Sequence, residues 1–345
     1  MVCHEVILTS GKVEGMRVRV HRGSHEVGGS CVEVAHERYR LVLDVGKPLS
    51  AGRSERVPLP SVPGLADGGD PDLLGVLISH PHLDHYGLAD QVSAKVPLYV
   101  GRDAAAVIEA ASFFNPCGPV LSPTRHLEHL SPMRLGPFTV TPHLVDHSAF
   151  DSYALVVDAG QRRLMYTGDL RGQGRKKRLF ETMVTNPPSD VDVLLMEGTH
   201  VTDPEAPASG EAMTHRGVAS EIDLERDLAS TFRRTAGLPV VVSSAQNIDR
   251  LVTVYRAARR ANRVLLVDLY TATVAAATGR ATIPQSGFPH LGVYVPNRQR
   301  VAVKTSGEFH RMKAIRPVRV FPEQIAADPP AGTSCCRMDP RCPNC

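Results

Sequence analysis

The chain contains no apolar window long enough to span a bilayer, which takes about 20 consecutive apolar residues. The stretch from Met1 to Val20 lacks a signal-peptide core between its charged residues. Neither charge sign dominates: 39 Lys and Arg face 36 Asp and Glu, for a net charge of +3. A global basic signal for nucleic acid is therefore absent. Aromatic residues make up only 5% and no RNP-type aromatic motif occurs, so base stacking is not indicated. There is no internal repeat and no long low-complexity tract. These absences leave a cytoplasmic, globular protein with no membrane partner as the expectation. What is present fits: 42% hydrophobic and 22% charged residues over 345 positions, enough for one large domain or two smaller ones. Cys3, Cys31 and Cys117 are scattered and read as unpaired thiols.

The most informative segment is Ser79-His-Pro-His-Leu-Asp-His85. It follows the apolar run Leu74 to Ile78, which reads as a buried strand stopping at a loop. His80 and His82 are two apart, so an extended backbone points both to one face. Asp84 keeps that parity and His85 turns the corner beside it. Imidazoles and a carboxylate together suit zinc, with manganese or iron as the next choices.

The spacing His-x-His-x-Asp-His resembles the signature of the metallo-β-lactamase fold family of hydrolases. The resemblance implies an α/β architecture, the αββα sandwich, and further ligands on later strand ends. Phe138 to Ser148 is strand-like and looks like the family's third motif, with His147 as ligand and His143 and Asp146 as local competitors. Arg163 to Asp169 ends in Thr-Gly-Asp and looks like the fourth, whose Asp169 would bridge two metals. Gly28-Gly29 and Asp44-Val-Gly46 are similar to the first hairpin and its Asp-x-Gly turn; Asp44 is given a minor supporting role at most. The implied cofactors are two divalent ions, zinc or manganese.

Residues 16–198 are expected to form this domain, ending in the strand Asp192 to Glu197. Residues 200–220 are polar and rich in Pro, Ala and Ser, as in a linker. Beyond them, Asp223 to Thr235 and Ile248 to Ala261 have helical spacing, Pro239 to Ser243 and Arg263 to Asp268 read as buried strands, and Thr271 to Gly279 as a short helix. Strand, helix and strand in that order make a parallel βαβ unit. Placed after Glu197-Gly-Thr, it resembles the β-CASP insertion of nucleic-acid-processing members such as ribonuclease J, assigned here to residues 199–325. That resemblance implies Glu197 as a partner in leaving-group protonation, Asp84 as a group orienting the nucleophile, and RNA or another single-stranded nucleic acid as partner. Arg250, Arg256 and Arg259 on the inserted helix are the candidate substrate contacts.

The chain departs from that subfamily at its end. The last histidine is His310, no Ser-Gly-His motif follows, and the second metal would lack an imidazole. Residues 326–345 read as an irregular Cys- and Pro-rich tail, truncated or out of frame, with the return to the sandwich missing; the alternative is a small zinc knob from Cys335, Cys336, Cys342 and Cys345. The expected function is a metallo-hydrolase, a phosphodiesterase processing RNA through a metal-activated hydroxide, with impaired activity. An inactive nucleic-acid-binding remnant and a small-molecule ester or thioester hydrolase of the same fold are the alternatives.

Overall fold

The computed structural model describes residues 4–10, 13–52, 55–115, 118–198, 220–327 and 333–337. The chain divides into two compact units. The first comprises Met1–Arg102, Ser122–His147 and Asp151–Ser220; the second comprises Asp103–Leu121, Ser148–Phe150 and Glu221–Cys345.

The first unit is two sheets packed face to face. One has seven strands in chain order: β1 (His4–Ser10), β2 (Val13–Arg22), β3 (Cys31–His36), β4 (Tyr39–Leu43), β5 (Leu73–Leu77), β6 (Leu98–Gly101) and β7 (Arg125–Leu127). The other contains β8 (Met133–Leu135), β9 (Phe138–Leu144), β10 (Tyr153–Ala159), β11 (Arg162–Tyr166) and β12 (Val193–Leu195), in the order β12-β11-β10-β9-β8. Strand β9 alternates buried and half-buried residues along its first five positions, the pattern of a strand with one face in the core. Met16, Val34, Leu41, Leu43 and Leu77 from the first sheet pack with Phe138, Val140, Leu155, Val157 and Leu164 from the second in one apolar cluster. Helices α1 (Leu83–Tyr86) and α3 (Lys177–Thr185) interrupt the strands, whereas α2 (Arg102–Ser112) belongs to the second unit from Asp103 onward.

Strand directions decide where the chemistry gathers. Strands β9 and β11 both run antiparallel to β10, so their C-terminal ends share an edge. Strands β4 and β5 run parallel, so theirs do too. The residues after all four ends can therefore converge.

The second unit holds a parallel sheet of β13 (Val240–Val242), β14 (Val264–Asp268), β15 (Leu291–Tyr294), β16 (Arg319–Val320) and β17 (Thr333–Arg337). Its helices include α4 (Glu221–Arg234), α5 (Ile248–Arg260) and α6 (Leu269–Ala277). The two strands of the βαβ reading lie in one parallel sheet, as expected. The order is β13-β17-β14-β15-β16, so β17 lies between the two strands of the βαβ unit. This corrects the irregular-tail expectation: Thr333–Arg337 is a strand pairing with Val240–Val242 on one side and Val264–Val267 on the other. Strand β13 is an edge strand with Val240 and Val242 exposed, not the buried strand expected. Cys342 and Cys345 of the cysteine cluster lie outside the described residues, as do Cys3, Cys117 and, of the linker expected at 200–220, all but Ser220. Cys31 is a buried free thiol, pushed up by its burial.

Candidate metal centre

The loop after β5 carries four of the expected ligands, in a different conformation from the extended one expected. His82 is extended (φ −103°, ψ 142°) and is the residue before α1, so Asp84 and His85 sit on a short helix. Backbone hydrogen bonds join this helix to the Asp-x-Gly turn: Val45 N donates to His85 O (2.8 Å), Lys47 N to Leu83 O (2.9 Å) and Ser30 N to Asp84 O (3.1 Å). The close approach requires glycine at position 46, where a Cβ would run into the Asp84 carbonyl. A Cβ at Gly28, whose φ is +78°, would lie 2.7 Å from Asp84 Cβ.

The second sheet supplies the other ligands from two loops at the same edge. His147 follows β9 and Asp169 follows β11. His147 Nε2 lies 3.1 Å from His82 Nδ1. Ring centroids of His80 and His147 are 4.7 Å apart, and those of His80 and His85 3.9 Å. Asp169 faces several of these groups at once: Oδ1 is 3.3 Å from His85 Nε2, and Oδ2 is 3.9 Å from both His80 Nε2 and His147 Nε2. Two overlapping groups result. His80, His82, His147 and Asp169 form one, and Asp84, His85 and Asp169 the other, each with ligand atoms within 4.8 Å of one another.

Two atoms test whether metal ions fit. His80 Nε2 and Asp84 Oδ1 are buried and have no hydrogen-bond partner. A buried polar atom without a partner is costly, and both atoms belong to side chains of the ligand groups. A divalent cation would satisfy such an atom, so the donor set fits a metal ion.

Electrostatics divides the imidazoles. Burial, and then the neighbouring imidazoles, hold His80 and His147 well below the usual histidine range. Burial also lowers His82. All three offer neutral lone pairs, as metal ligation requires. His85 goes the other way. Burial opposes its charge, but Asp44 and Asp169 on either side outweigh burial and raise it well above the usual range. Burial would raise Asp169, yet the hydrogen bond and charge of His85 bring it down to about 2. Asp44 and Asp169 thus favour the charged form of His85.

Asp44 is far more than a minor support. Fully buried, it accepts hydrogen bonds from Ser79 N, Ser79 Oγ, His85 Nδ1 and Tyr166 OH, each at 2.7 Å. It fixes the proton of His85 on Nδ1 and leaves Nε2 facing the site. Its φ of +60° is a conformation that Asp and Asn tolerate better than most residues.

The two competitors near His147 have other places. His143 is half-buried on β9, its ring 6.4 Å from that of His129. Asp146 is fully buried and accepts from Gly174 N at 2.7 Å. Glu197 Oε1 accepts from Leu170 N at 2.7 Å. Glu197 also lines a cavity of about 300 Å³ together with Arg22, Ser30, His85, Tyr166 and Asp169. Of the arginines expected to touch substrate, Arg250 pairs with buried Glu221 (Nη2 to Oε1, 3.0 Å). Arg259 lies 5.9 Å from the centre of the Tyr255 ring, and Arg256 is exposed.

A two-sheet sandwich with histidines and aspartates gathered at one strand-end edge defines a metallo-hydrolase fold. A family model described as "Beta-lactamase superfamily domain" matches residues 49–235, and the chain belongs to that family. Ribonuclease J of Sinorhizobium meliloti is 24% identical over 209 residues, covering 57% of this chain and 34% of that protein. Transcription termination factor FttA of a Lokiarchaeum is 27% identical over 262 residues, covering 69% of this chain and 39% of that protein. The chain spans less than two-fifths of either relative. A crystal structure of a protein of unknown function from Enterococcus faecalis superposes with a TM-score of 0.72 at 18% identity, covering 95% of this chain and 78% of that one; it shares the fold.

Proposed function

We propose that this protein is a metal-dependent phosphodiesterase acting on nucleic acid, with single-stranded RNA as the first substrate to test. The observation that carries the reading is the pair of ligand groups sharing Asp169, with an orphaned donor atom in each. Two neighbouring cations suit in-line displacement at phosphorus, where both the attacking and the leaving oxygen need charge stabilisation. The names of the two curated relatives, ribonuclease J and a transcription termination factor, support a nucleic-acid substrate.

In this reading His80, His82 and His147 would hold one ion and Asp84 and His85 a second, and Asp169 belongs to both groups. Bound divalent ions supply Lewis acidity, making water a nucleophile near neutral pH and neutralising phosphate charge. Asp44 keeps the proton on His85 Nδ1. Asp84, as a holder of that second ion, would also help to orient the nucleophile. Glu197, beside His85 and Asp169 in the cavity, is assigned to proton transfer at the leaving oxygen. We assign residues 16–198 to the metal-holding domain and 199–325 to a β-CASP-like insertion, in which Arg256 and Arg259 present exposed cations.

The test is hydrolysis of bis(4-nitrophenyl) phosphate and of end-labelled single-stranded RNA by protein loaded with Zn²⁺ or Mn²⁺. Turnover abolished by chelation and by His82→Ala is expected. Metal-loaded protein that hydrolyses neither compound overturns the proposal.

A further inference from the structure

The parallel sheet of the second unit has at one edge the short strand β16, whose Arg319 and Val320 pair with Val293 and Tyr294 of β15. Two helices, α7 (Asn297–Ser306) and α8 (His310–Lys313), lie between those strands in sequence. From Asn297 to Phe321 there are seven Lys and Arg against one carboxylate, Glu308, whereas the whole chain is nearly balanced at 39 to 36. The same segment carries two uncovered aromatic rings, Phe309 at 62% exposure and Phe321 at 45%. In a chain with few aromatics, two exposed rings among cations are a local feature that composition does not reveal.

The unit's own core holds the segment in place. Val303 and Ile315 are buried in it, with Met312 and Val318 packed against it. Ser286 Oγ donates to the Ala314 carbonyl at 2.9 Å. Some of the cations serve the fold. Arg311 pairs with Glu308 (Nη2 to Oε2, 2.7 Å) and lies 4.2 Å from the centre of the Phe113 ring, and Arg300 donates to Asn297 Oδ1 at 2.7 Å. Lys304, Lys313 and Arg316 are exposed, and they form no ion pair among the described residues. Arg319 is half-buried, its guanidinium 4.4 Å from the centre of the Phe321 ring, within the range of a cation–π contact.

Packing does not explain the two rings. A phenylalanine left largely in water forgoes the transfer free energy that usually places one in a domain. Charge beside an edge strand can guard against edge-to-edge pairing, which accounts for Arg319 but not for an uncovered ring next to it. An anionic membrane is a poor match. Helix α7 buries Val303 and exposes only Val301 of its two large apolar residues, so it has no apolar face to insert. Cations interleaved with exposed rings are instead the surface chemistry of single-stranded nucleic-acid binding, in which the backbone is neutralised and the bases stack.

We propose that Phe309–Phe321 of the second unit is a binding surface for single-stranded nucleic acid, with Lys313, Arg316 and Arg319 contacting phosphates and Phe309 and Phe321 stacking bases. Arg319 beside the Phe321 ring sets a cation and a stacking platform at adjoining points, as a phosphate and its own base require. The ligand class follows from the cations and rings of this surface. That the bound strand is also the substrate rests on the phosphodiesterase reading.

The test is binding of a fluorescein-labelled single-stranded RNA oligonucleotide to the full chain, followed by anisotropy across a salt series with chelator present. Phe309→Leu/Phe321→Leu keeps apolar bulk and removes the rings; it should weaken binding about fivefold or more per ring while the salt slope stays the same. Phe309→Tyr/Phe321→Tyr should bind as the original does. Lys313→Gln/Arg316→Gln should lower the slope of log affinity against log salt by about 1.4, at about 0.7 per phosphate contact. Unchanged affinity in the leucine variant overturns the proposal, as does an equal loss in the tyrosine variant or an unchanged slope in the glutamine variant. If the leucine variant instead keeps its RNA affinity and loses binding to phosphatidylglycerol vesicles, the surface is a membrane site and the proposal is overturned. Hydrolysis of bis(4-nitrophenyl) phosphate reports on the metal centre separately, because that compound has no strand to hold. RNA binding with the expected variant pattern in a protein that hydrolyses nothing supports the surface and refutes only the phosphodiesterase reading.

Discussion

Asp44→Asn isolates the support of the candidate centre from its ligands. Asparagine has the same shape and tolerates the φ of +60° at this position, so the backbone turn survives. The hydrogen bonds do not. Oδ2 accepts from Ser79 Oγ, His85 Nδ1 and Tyr166 OH, while Oδ1 accepts from Ser79 N. An amide has one acceptor oxygen, so its NH2 must face at least one of these donors. Leaving a buried donor unsatisfied costs about 1–3 kcal/mol. Breaking a buried ion pair outright costs about 3–5 kcal/mol, but Asp169 remains 3.3 Å from His85 Nε2, so the lower range applies. The melting temperature of the metal-free protein should fall by several degrees, at about 2–4 °C per kcal/mol for a unit of this size. Without Asp44 to hold the Nδ1 proton, His85 loses its fixed tautomer, and loss of such a partner weakens metal binding about 10–100-fold. Calorimetric unfolding in chelator and a competition titration with Zn²⁺ measure the two effects. A variant as stable as the original and equal in Zn²⁺ affinity would refute the assignment of Asp44 as the hub.

Three further outcomes are expected. Elemental analysis of purified protein should find at least one tightly held divalent transition metal, absent from His80→Ala; retention in that variant would remove His80 from the ligand set. Gly46→Ala places a Cβ on the Asp84 carbonyl and should lower stability by more than the usual 1–3 kcal/mol (approximately) of an overpacked core, read as a shift in urea midpoint. Glu33 is the source of an acid-sensitive term: burial would raise its carboxyl, but hydrogen bonds from His21 and Arg40 outweigh burial and hold it below the usual range. Its contribution is therefore full above the unfolded value of about 4.3 and is lost as pH falls through the lower folded value. Urea midpoints of Glu33→Gln should accordingly converge on those of the original protein at the acid end of the series, and an equal gap at every pH would contradict this.

The cluster of candidate ligands was legible because its members follow strand-like runs, and strand ends can be read from local polarity alone. His80, His82, Asp84 and His85 lie in one heptapeptide, and His147 and Asp169 each close an apolar stretch. The helix at Leu83–Tyr86 was not legible. It is too short to show a period, and its shape is imposed by hydrogen bonds from the Asp-x-Gly turn. The arginines of α5 read as a substrate face because α4's acids, Glu221 and Glu225, are far away in sequence; folding brings Glu221 to Arg250 and Glu225 to Arg260.

By itself, the order of residues determined that this is a two-layer α/β protein with histidines and aspartates at strand ends, since polarity patterns and turn residues act over a few positions. Only the tertiary structure decided that Asp44 binds Ser79, His85 and Tyr166, and that Thr333–Arg337 enters the parallel sheet between β13 and β14. Both are long-range matters. A buried carboxylate collects whatever donors the fold brings to it, and a strand's neighbours are chosen by which backbone edges remain unpaired, neither of which a local window records.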